Sequence, residues 1–233
     1  MTDLPNLAIC LVTYKRTAEA LRTIQGIVDN LQYPLEKRSW FVNDDGSPPE
    51  HAQAIRDLLR EKGEQLLWMN TVRTSGGTFN AGKGWNACLG NAHQHSDFVL
   101  WLEDDWVLES KLEMERHVQL LAEREDIGIV SYRGLTEGSD ITITTHAGYH
   151  YFKYLRSCMN AYSGNPHLRH ARFVRTYGWF AEDRNPGDME INYDWRFCHK
   201  TGCDIWRPAG DNPWGIFGHI GTVQTFIGNR TPR

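Results

Sequence analysis

The stretch FVLWLEDDW, residues 98–106, runs five apolar residues straight into three consecutive carboxylates, Glu103, Asp104 and Asp105. An apolar run of that length fits a strand buried on both faces. Like charges at its end repel one another at neutral pH, and burial raises that cost unless a cation compensates. The stretch therefore predicts a buried strand that delivers carboxylates to a place where something positive binds.

Reading outward, strand-like and helix-like segments alternate. LAICLVTY (7–14) is a continuous apolar run, followed by a helical pattern carrying Ala20, Leu21, Ile24, Ile27 and Leu31. SWFVN (39–43) is a second short strand closed by the turn-rich DDGSPP, and EHAQAIRDLLREKG reads as a helix ending at Gly63. QLLWMN (65–70) is a third strand; the glycine-rich TSGGTFNAGKG and a helix-like WNACLGNAHQH then lead back to residues 98–106. Beyond the carboxylates, Ser110 and Glu113 have the spacing of a capping box ahead of Leu112, Val118, Leu120 and Leu121. The remainder is less regular. ITITT and YHYFKYL flank the turn signal HAG and predict a hairpin over 141–155, and DMEINYDWRFCHKTG has Ile191, Trp195 and Cys198 at helical spacing before Gly202. The expectation is an α/β fold with a mostly parallel central sheet flanked by helices and a smaller α+β lobe. It is read as one domain over 1–233, with a ligand-binding half (1–109) and a second half (110–233).

Length and composition agree with one sizeable core: 233 residues, 40% of them hydrophobic. A net charge of -4 gives no overall basic field and so no signal for wholesale nucleic-acid binding. The five cysteines, Cys10, Cys88, Cys158, Cys198 and Cys203, form no C-x-x-C pair, which argues against a disulfide framework or a zinc site and for a reducing, cytoplasmic setting. No run approaches the roughly 18 apolar residues that cross a bilayer.

In open parallel sheets ligands bind beyond the carboxyl ends of the strands, and YKR, NDDGS and EDD each follow a strand directly. Carboxylates at such an edge suit a hard divalent cation that bridges protein to diphosphate oxygens. The ordered set LVTYKR, FVNDDGS, NAGKGWN and LWLEDDW resembles the GT-A glycosyltransferases, in particular the inverting, family 2 type. The resemblance covers the first half most closely. It implies a GT-A fold and transfer of a sugar from a nucleotide-diphosphate donor, a UDP-sugar above all, with Mn2+ or Mg2+.

Position by position, the resemblance implies that Thr13, Tyr14 and Arg16 border the nucleotide. The DDGS pair, Asp44 and Asp45, meets the base, with Asp44 accepting from the uracil imide N–H. Asn80, Lys83 and Asn86 lie beside base and phosphates, and EDD stands where the family's D-x-D motif does. Asp105 is then the metal ligand, and Glu103 and Asp104 reach toward ribose and sugar. SGNP (163–166) matches a loop near the donor sugar, and NPGDMEINYDWRF the segment with the catalytic acid. There the family's E-D pair is changed, so Asp188 and Glu190 are both candidates for the base, with AED, Glu182 and Asp183, a third. His219, in FGHIGT, stands where a late histidine joins the metal shell.

Other readings compete. DDGS is a common turn, and TSGGTFNAGKG lacks the G-K-[ST] ending of a phosphate loop. HLRHARFVR (167–175) reads as a solvated helix face, or as a basic patch drawn to acceptor phosphates. Of the nine tryptophans, Trp179, Trp195, Trp206 and Trp214 offer a stacking platform, although most of the set belongs to the core. A sugar-phosphate nucleotidyltransferase shares such an α/β half, but the first strand lacks its glycine-rich loop. A non-catalytic sugar-binding protein has no use for Asp44, Asp105 and His219 in one cleft. The acceptor stays open among a glycan, a lipid carrier, a small molecule and a hydroxylated nucleic-acid base.

Overall fold

Seven consecutive residues of the first strand, Leu7–Thr13, are buried, and so are seven of the second long strand, Arg38–Asp44. Strands of this kind lie inside a sheet covered on both faces. The structure, a computed structural model, describes residues 4–73, 81–135, 139–158, 161–182, 184, 186–209 and 215–221. The first half contains β1 (Leu7–Thr13), α1 (Thr17–Asn30), β2 (Leu31–Gln32), β3 (Arg38–Asp44), α2 (Pro49–Glu61), β4 (Gln65–Asn70), α3 (Gly82–His95), β5 (Phe98–Glu103) and β6 (Trp106–Leu108). The second contains β7 (Leu112–Glu113), α4 (Met114–Glu123), β8 (Ile127–Ser131), β9 (Ile141–His146), β10 (Tyr149–Tyr154), β11 (His167–His170), α5 (Ala171–Tyr177), α6 (Pro186–His199), β12 (Asp204–Pro208) and β13 (Phe217–His219).

Nine strands form one sheet in the order β4-β3-β1-β5-β11-β8-β12-β10-β9. Strands β4, β3, β1 and β5 are parallel, β11 is antiparallel to both β5 and β8, and β12 is parallel to β8. The carboxyl ends of β1, β3, β5, β8 and β12 therefore share one edge. Side chains alternate between faces with period two. Leu7, Ile9 and Leu11 pack with Ile24, Ile27, Ile55, Leu59 and Val118 of α1, α2 and α4. Ala8, Cys10 and Val12 pack with Trp85, Cys88, Leu89, Phe173, Tyr193 and Phe197 of α3, α5 and α6. The helices supply these sides through apolar residues three and four apart, such as Trp85, Cys88, Leu89 and Ala92.

The expected parallel α/β half and the hairpin over β9 and β10 are found. The second half extends the same sheet, through β8, β11 and β12, and adds two small ladders, β13 on β6 and β2 on β7. Two local expectations are corrected. Ser110 is no cap: Leu112 and Glu113 pair with Leu31 and Gln32, Glu113 is the residue that precedes α4, and it makes no side-chain capping bond. Tertiary pairing overrides the box. HLRHARFVR is not a solvated helix, because residues 167–170 are the buried strand β11 and only α5 follows as a helix. Arg169 there is 0% exposed, and its guanidinium makes no well-aligned hydrogen bond among the described residues, the nearest polar group being the Tyr193 hydroxyl. Its charge lies instead over the rings of Phe173, Phe180 and Tyr193, 5.3, 5.6 and 5.9 Å from their centroids. All five cysteines are free thiols, and no helix among the described residues is long and apolar enough to cross a membrane.

Candidate active site at the carboxyl edge of the sheet

Register alone brings three of the expected segments together, since Thr13 is paired with Asp44 and Val12 with Glu103. After β1 the chain turns sharply at Lys15, which takes the left-handed φ of 60° rarely seen outside glycine. Lys15 N–H donates to Ser47 Oγ at 2.8 Å, and Tyr14 N–H donates to Asp104 Oδ2 at 3.1 Å. A narrow cleft of about 60 Å3 opens here, lined by Thr13, Tyr14, Arg16, Asp45, Trp85 and Glu103 among others.

From sequence, the charge opposite the EDD run is assigned to a bound metal; in the structure a side chain expected to border the nucleotide, Arg16, already meets these carboxylates. Arg16 Nη2 pairs with Asp104 Oδ1 at 3.1 Å and Arg16 Nη1 with Asp105 Oδ2. His219 Nε2, carried in by the β6–β13 ladder, lies 3.2 Å from that same Asp105 oxygen. Asp105 Oδ1 is buried with no hydrogen-bond partner among the described residues. Gly221 closes the pocket: a methyl group there would lie 2.5 Å from Asp105 Oδ2. The free Oδ1 of Asp105 and the His219 imidazole that lies against the other oxygen are donors of the kind a divalent cation takes. No group of three or more His, Cys, Asp or Glu among the described residues is arranged to hold one, so substrate oxygens or water would have to complete the shell.

Asp104 is wired more deeply. Its Oδ2 accepts from Thr13 Oγ1 at 2.8 Å, and its carbonyl accepts from Thr23 Oγ1 at 2.9 Å. Because the single Thr13 hydroxyl proton goes to Asp104, His51 Nε2–H is the donor in its 3.0 Å bond to Thr13 Oγ1, and His51 Nδ1 accepts from Thr17 Oγ1 at 2.8 Å. Burial lowers the His51 pKa, in keeping with this neutral tautomer. Burial pushes Asp104 up to about 6 in spite of Arg16 and Thr13. His51 escaped the sequence reading because a histidine on the inner side of α2 carries no signal of its own.

Glu103 turns the other way, toward the second half. Burial, then the nearby Glu190, raise its pKa well above the ordinary carboxylate range. The two carboxylates converge on Gly164 of the SGNP loop, where a methyl group would collide with both. Gly164 N–H donates to Glu190 Oε1 at 2.5 Å and Tyr162 N–H to Asp194 Oδ1 at 2.7 Å, so two carboxylates one turn apart on α6 clamp the loop. Burial raises the Glu190 pKa, while Arg133, just beyond β8, draws it down. Arg133 was also missed, although it follows an apolar run, IGIVSY, as the other site residues do.

The other expected residues are spread out. Asp44 is 0% exposed; its Oδ1 accepts from Ser47 N–H at 3.0 Å and Oγ at 2.5 Å, and its Oδ2 has no partner among the described residues. Asn43 and Asp45 line the cleft beside it. Lys83 is exposed in the first turn of α3, while Ala81 and Trp85 line the cleft. Asn86 is committed elsewhere: its amide donates to Phe180 O at 3.0 Å and Glu182 Oε1 at 3.1 Å and accepts from Phe180 N–H at 3.0 Å, tying α3 to the segment before α6. Asp188 is exposed in the first turn of α6. Trp206 is core, whereas Trp179 and Trp195 are 45% and 54% exposed. Asn80, Asp183 and Trp214 lie outside the described residues.

By sequence, the chain matches no protein-family model and no curated protein. By structure it is similar to residues 1–349 of TarS from S. aureus (13% identity, TM-score 0.61, 87% of this chain and 60% of that one), a protein also solved with UDP and with UDP-GlcNAc. It is similar to the mannosyltransferase PcManGT of Pyrobaculum calidifontis in complex with GDP-Man and Mn2+ (17% identity, TM-score 0.58, 81% of this chain and 51% of that one). GalNAc-T7 with UDP, GalNAc and Mn2+ is a third (10% identity, TM-score 0.66, 95% and 45%). The chain thus spans 60% or less of the length of each of these three. The fold is the GT-A glycosyltransferase fold, a mainly parallel sheet flanked by helices.

Proposed function

We propose that this protein is a glycosyltransferase that moves a sugar, with inversion, from a nucleotide-diphosphate donor, preferentially a UDP-sugar, to an acceptor hydroxyl. The observation that carries the reading is the convergence, at one sheet edge, of Arg16, Asp105 and His219 on one side of Glu103 and of Glu190 on the other. Direct displacement needs charge stabilisation at the leaving group and a base at the acceptor, and the site separates these two chemistries. The likeness to proteins solved with UDP, GDP-Man and Mn2+ supports a nucleotide-sugar donor and a divalent cation.

In this reading a manganese or magnesium ion held by Asp105 and His219 supplies, when bound, positive charge for the diphosphate. Arg16 adds a guanidinium at the same place. Thr13, Tyr14 and Asp45 border the nucleoside, and Asp44 accepts from the uracil imide through its unspent Oδ2. Lys83 serves an anion at the start of α3 as a point charge. Glu103 and Asp104 lie toward ribose and sugar. Among the expected bases, Glu190 is favoured over Asp188, because it is clamped beside Glu103 and has a raised pKa suited to accepting a proton. The acceptor oxygen attacks the anomeric carbon, the bond from that carbon to the diphosphate oxygen breaks, and the acceptor proton passes to Glu190.

The test is a melting-temperature series with UDP, GDP and their sugars, with and without Mn2+. A ligand that binds only the folded state stabilises by about 2.7 kcal/mol at a hundredfold excess over Kd. UDP with Mn2+ is expected to give the largest shift and chelator to remove most of it; equal shifts with and without metal would overturn the metal assignment.

A further inference from the structure

On the α4 side of the same edge lies a second cavity of about 550 Å3, with Lys111, Glu113, Arg116, Tyr151 and Arg207 in its wall. Its lining is cationic. Glu113 is the one carboxylate among the described lining residues, and it already pairs with Arg116 Nη1 at 3.2 Å. Arg116 is held in place on three sides. Its guanidinium carbon lies 3.9 Å from the centroid of the Tyr149 ring, and its Nη2 donates to His117 Nε2 at 3.4 Å. His117 Nδ1–H in turn donates to Tyr132 Oη at 2.8 Å, and that hydroxyl points to Met114 Sδ at 3.7 Å. Tyr151, only 1% exposed, presents its hydroxyl to the Arg116 guanidinium, and its own O–H proton has no acceptor among the described residues.

A buried hydroxyl proton beside a guanidinium calls for an acceptor, and one that brings negative charge suits it best. A guanidinium pinned by stacking and hydrogen bonds has already lost its rotamer freedom, as anion recognition favours. The cavity is also far larger than a bare ion, so the anion belongs to a bigger body. Ile216 lines it and His219 follows three residues on, so the backbone between the cavity wall and the Asp105–His219 pair spans at most roughly 10 Å at about 3.3 Å per residue.

We propose that this cavity is a subsite for a phosphoryl group carried by the acceptor, seated while the acceptor hydroxyl lies beside Glu190. The acceptor role rests on the glycosyltransferase reading; the anion site does not. The experiment is calorimetric titration of the full chain with glycerol 3-phosphate at about 0.15 M salt, in the absence and presence of saturating UDP and Mn2+. Binding is expected in both conditions, at least tenfold weaker in Arg116→Gln and in the exposed Lys111→Gln, and severalfold weaker in Tyr151→Phe, which keeps the ring. Asp105→Ala is expected to leave it unchanged. No binding, displacement by UDP, or equal affinity in Lys111→Gln and Tyr151→Phe would each overturn the subsite. UDP binding measured on the same variants reports separately on the donor site, so a failure there would not be mistaken for a failure here.

Discussion

Arg16 and Asp105, eighty-nine residues apart, share an ion pair at the carboxyl edge of the sheet, and the Asp105 oxygen that Arg16 holds is the one His219 approaches at 3.2 Å. The guanidinium therefore supplies positive charge next to the position that a divalent cation would take. Arg16→Gln leaves Asp104 and Asp105 without their cation. A partly buried pair that loses one partner costs on the order of 3 kcal/mol, or roughly 6–12 °C at about 2–4 °C per kcal/mol for a chain of this size. The metal-free protein should melt lower by that amount, and Mn2+ should restore more stability to the variant than to the parent. Equal Mn2+ shifts in the two proteins would separate Arg16 from the metal position.

Asp44 presents a different balance. One carboxylate oxygen is used by Ser47 and the other has no partner among the described residues. Asp44→Asn keeps the shape and an acceptor for Ser47 N–H but removes the charge offered to a uracil imide. UDP affinity should fall by about 1.5–3 kcal/mol, the range for a hydrogen bond to a charged group. Calorimetry with UDP and Mn2+ measures it, and unchanged affinity would leave Asp44 as a turn residue.

How far the sequence was legible follows from where the period was strong. The strands β1, β3, β4 and β5 are apolar runs between helices with three-and-four spacing, so their existence, and the sharing of one edge by Thr13, Asp44 and Glu103, could be read directly. Strand β11 could not. Four residues, HLRH, are too short for periodicity, and a wholly buried arginine reverses the compositional rule that places charge in water. The Arg16–Asp105 pair was hidden because sequence spacing says nothing of which cation meets which anion across the sheet. For the base, a signal was available: Glu190 and Asp194 stand four apart and so on one side of α6, whereas Asp188 does not share it. Only the contacts with Gly164 and Tyr162 turn that spacing into a preference.

Arg169 tests the energetics of β11. Burying a guanidinium costs several kcal/mol, and ring contacts return about 2 kcal/mol when desolvated. Arg169→Met keeps the length and fills the same space among Phe173, Phe180 and Tyr193. Its melting temperature should equal or exceed that of the parent. A loss of more than about 3 kcal/mol would mean that the charge is held by acceptors beyond those rings.

The same strand sets an acid limit. Burial, reinforced by Arg169, pushes His167 down to about 3, while in the unfolded chain a histidine titrates near 6.5. Below about pH 6.5 the unfolded state takes up a proton that the folded state refuses, so this contribution to stability is complete above pH 6.5 and is lost as pH falls toward 3. Buried carboxylates with raised pKa, Asp104 at about 6, act in the opposite sense, so the group is isolated by difference. His167→Asn keeps a donor for the Asn165 carbonyl, which Nδ1 bonds at 2.8 Å, but cannot titrate. The gap in melting temperature between parent and variant should narrow steadily from pH 7 to pH 4; a constant gap would show that His167 is not held neutral.

The base is decided by comparing two carboxylates two residues apart. Glu190→Gln keeps an acceptor for Gly164 N–H, and with it the loop, but cannot take the acceptor's proton. Donor binding should survive while turnover falls by the ~100-fold to 10,000-fold typical of a lost general base, so that kcat and kcat/KM drop together. Asp188→Asn, at an exposed position in the first turn of α6, should retain most of the activity. Hydrolysis of the donor allows both variants to be assayed with water as the acceptor. Glu103, whose pKa burial and then the nearby Glu190 raise, adds an ionisation of its own to the profile, so Glu103→Gln should simplify the pH dependence of the rate relative to the parent. If Asp188→Asn is the variant that loses turnover and Glu190→Gln keeps it, the clamp at Gly164 is purely structural and the base stands at the start of α6.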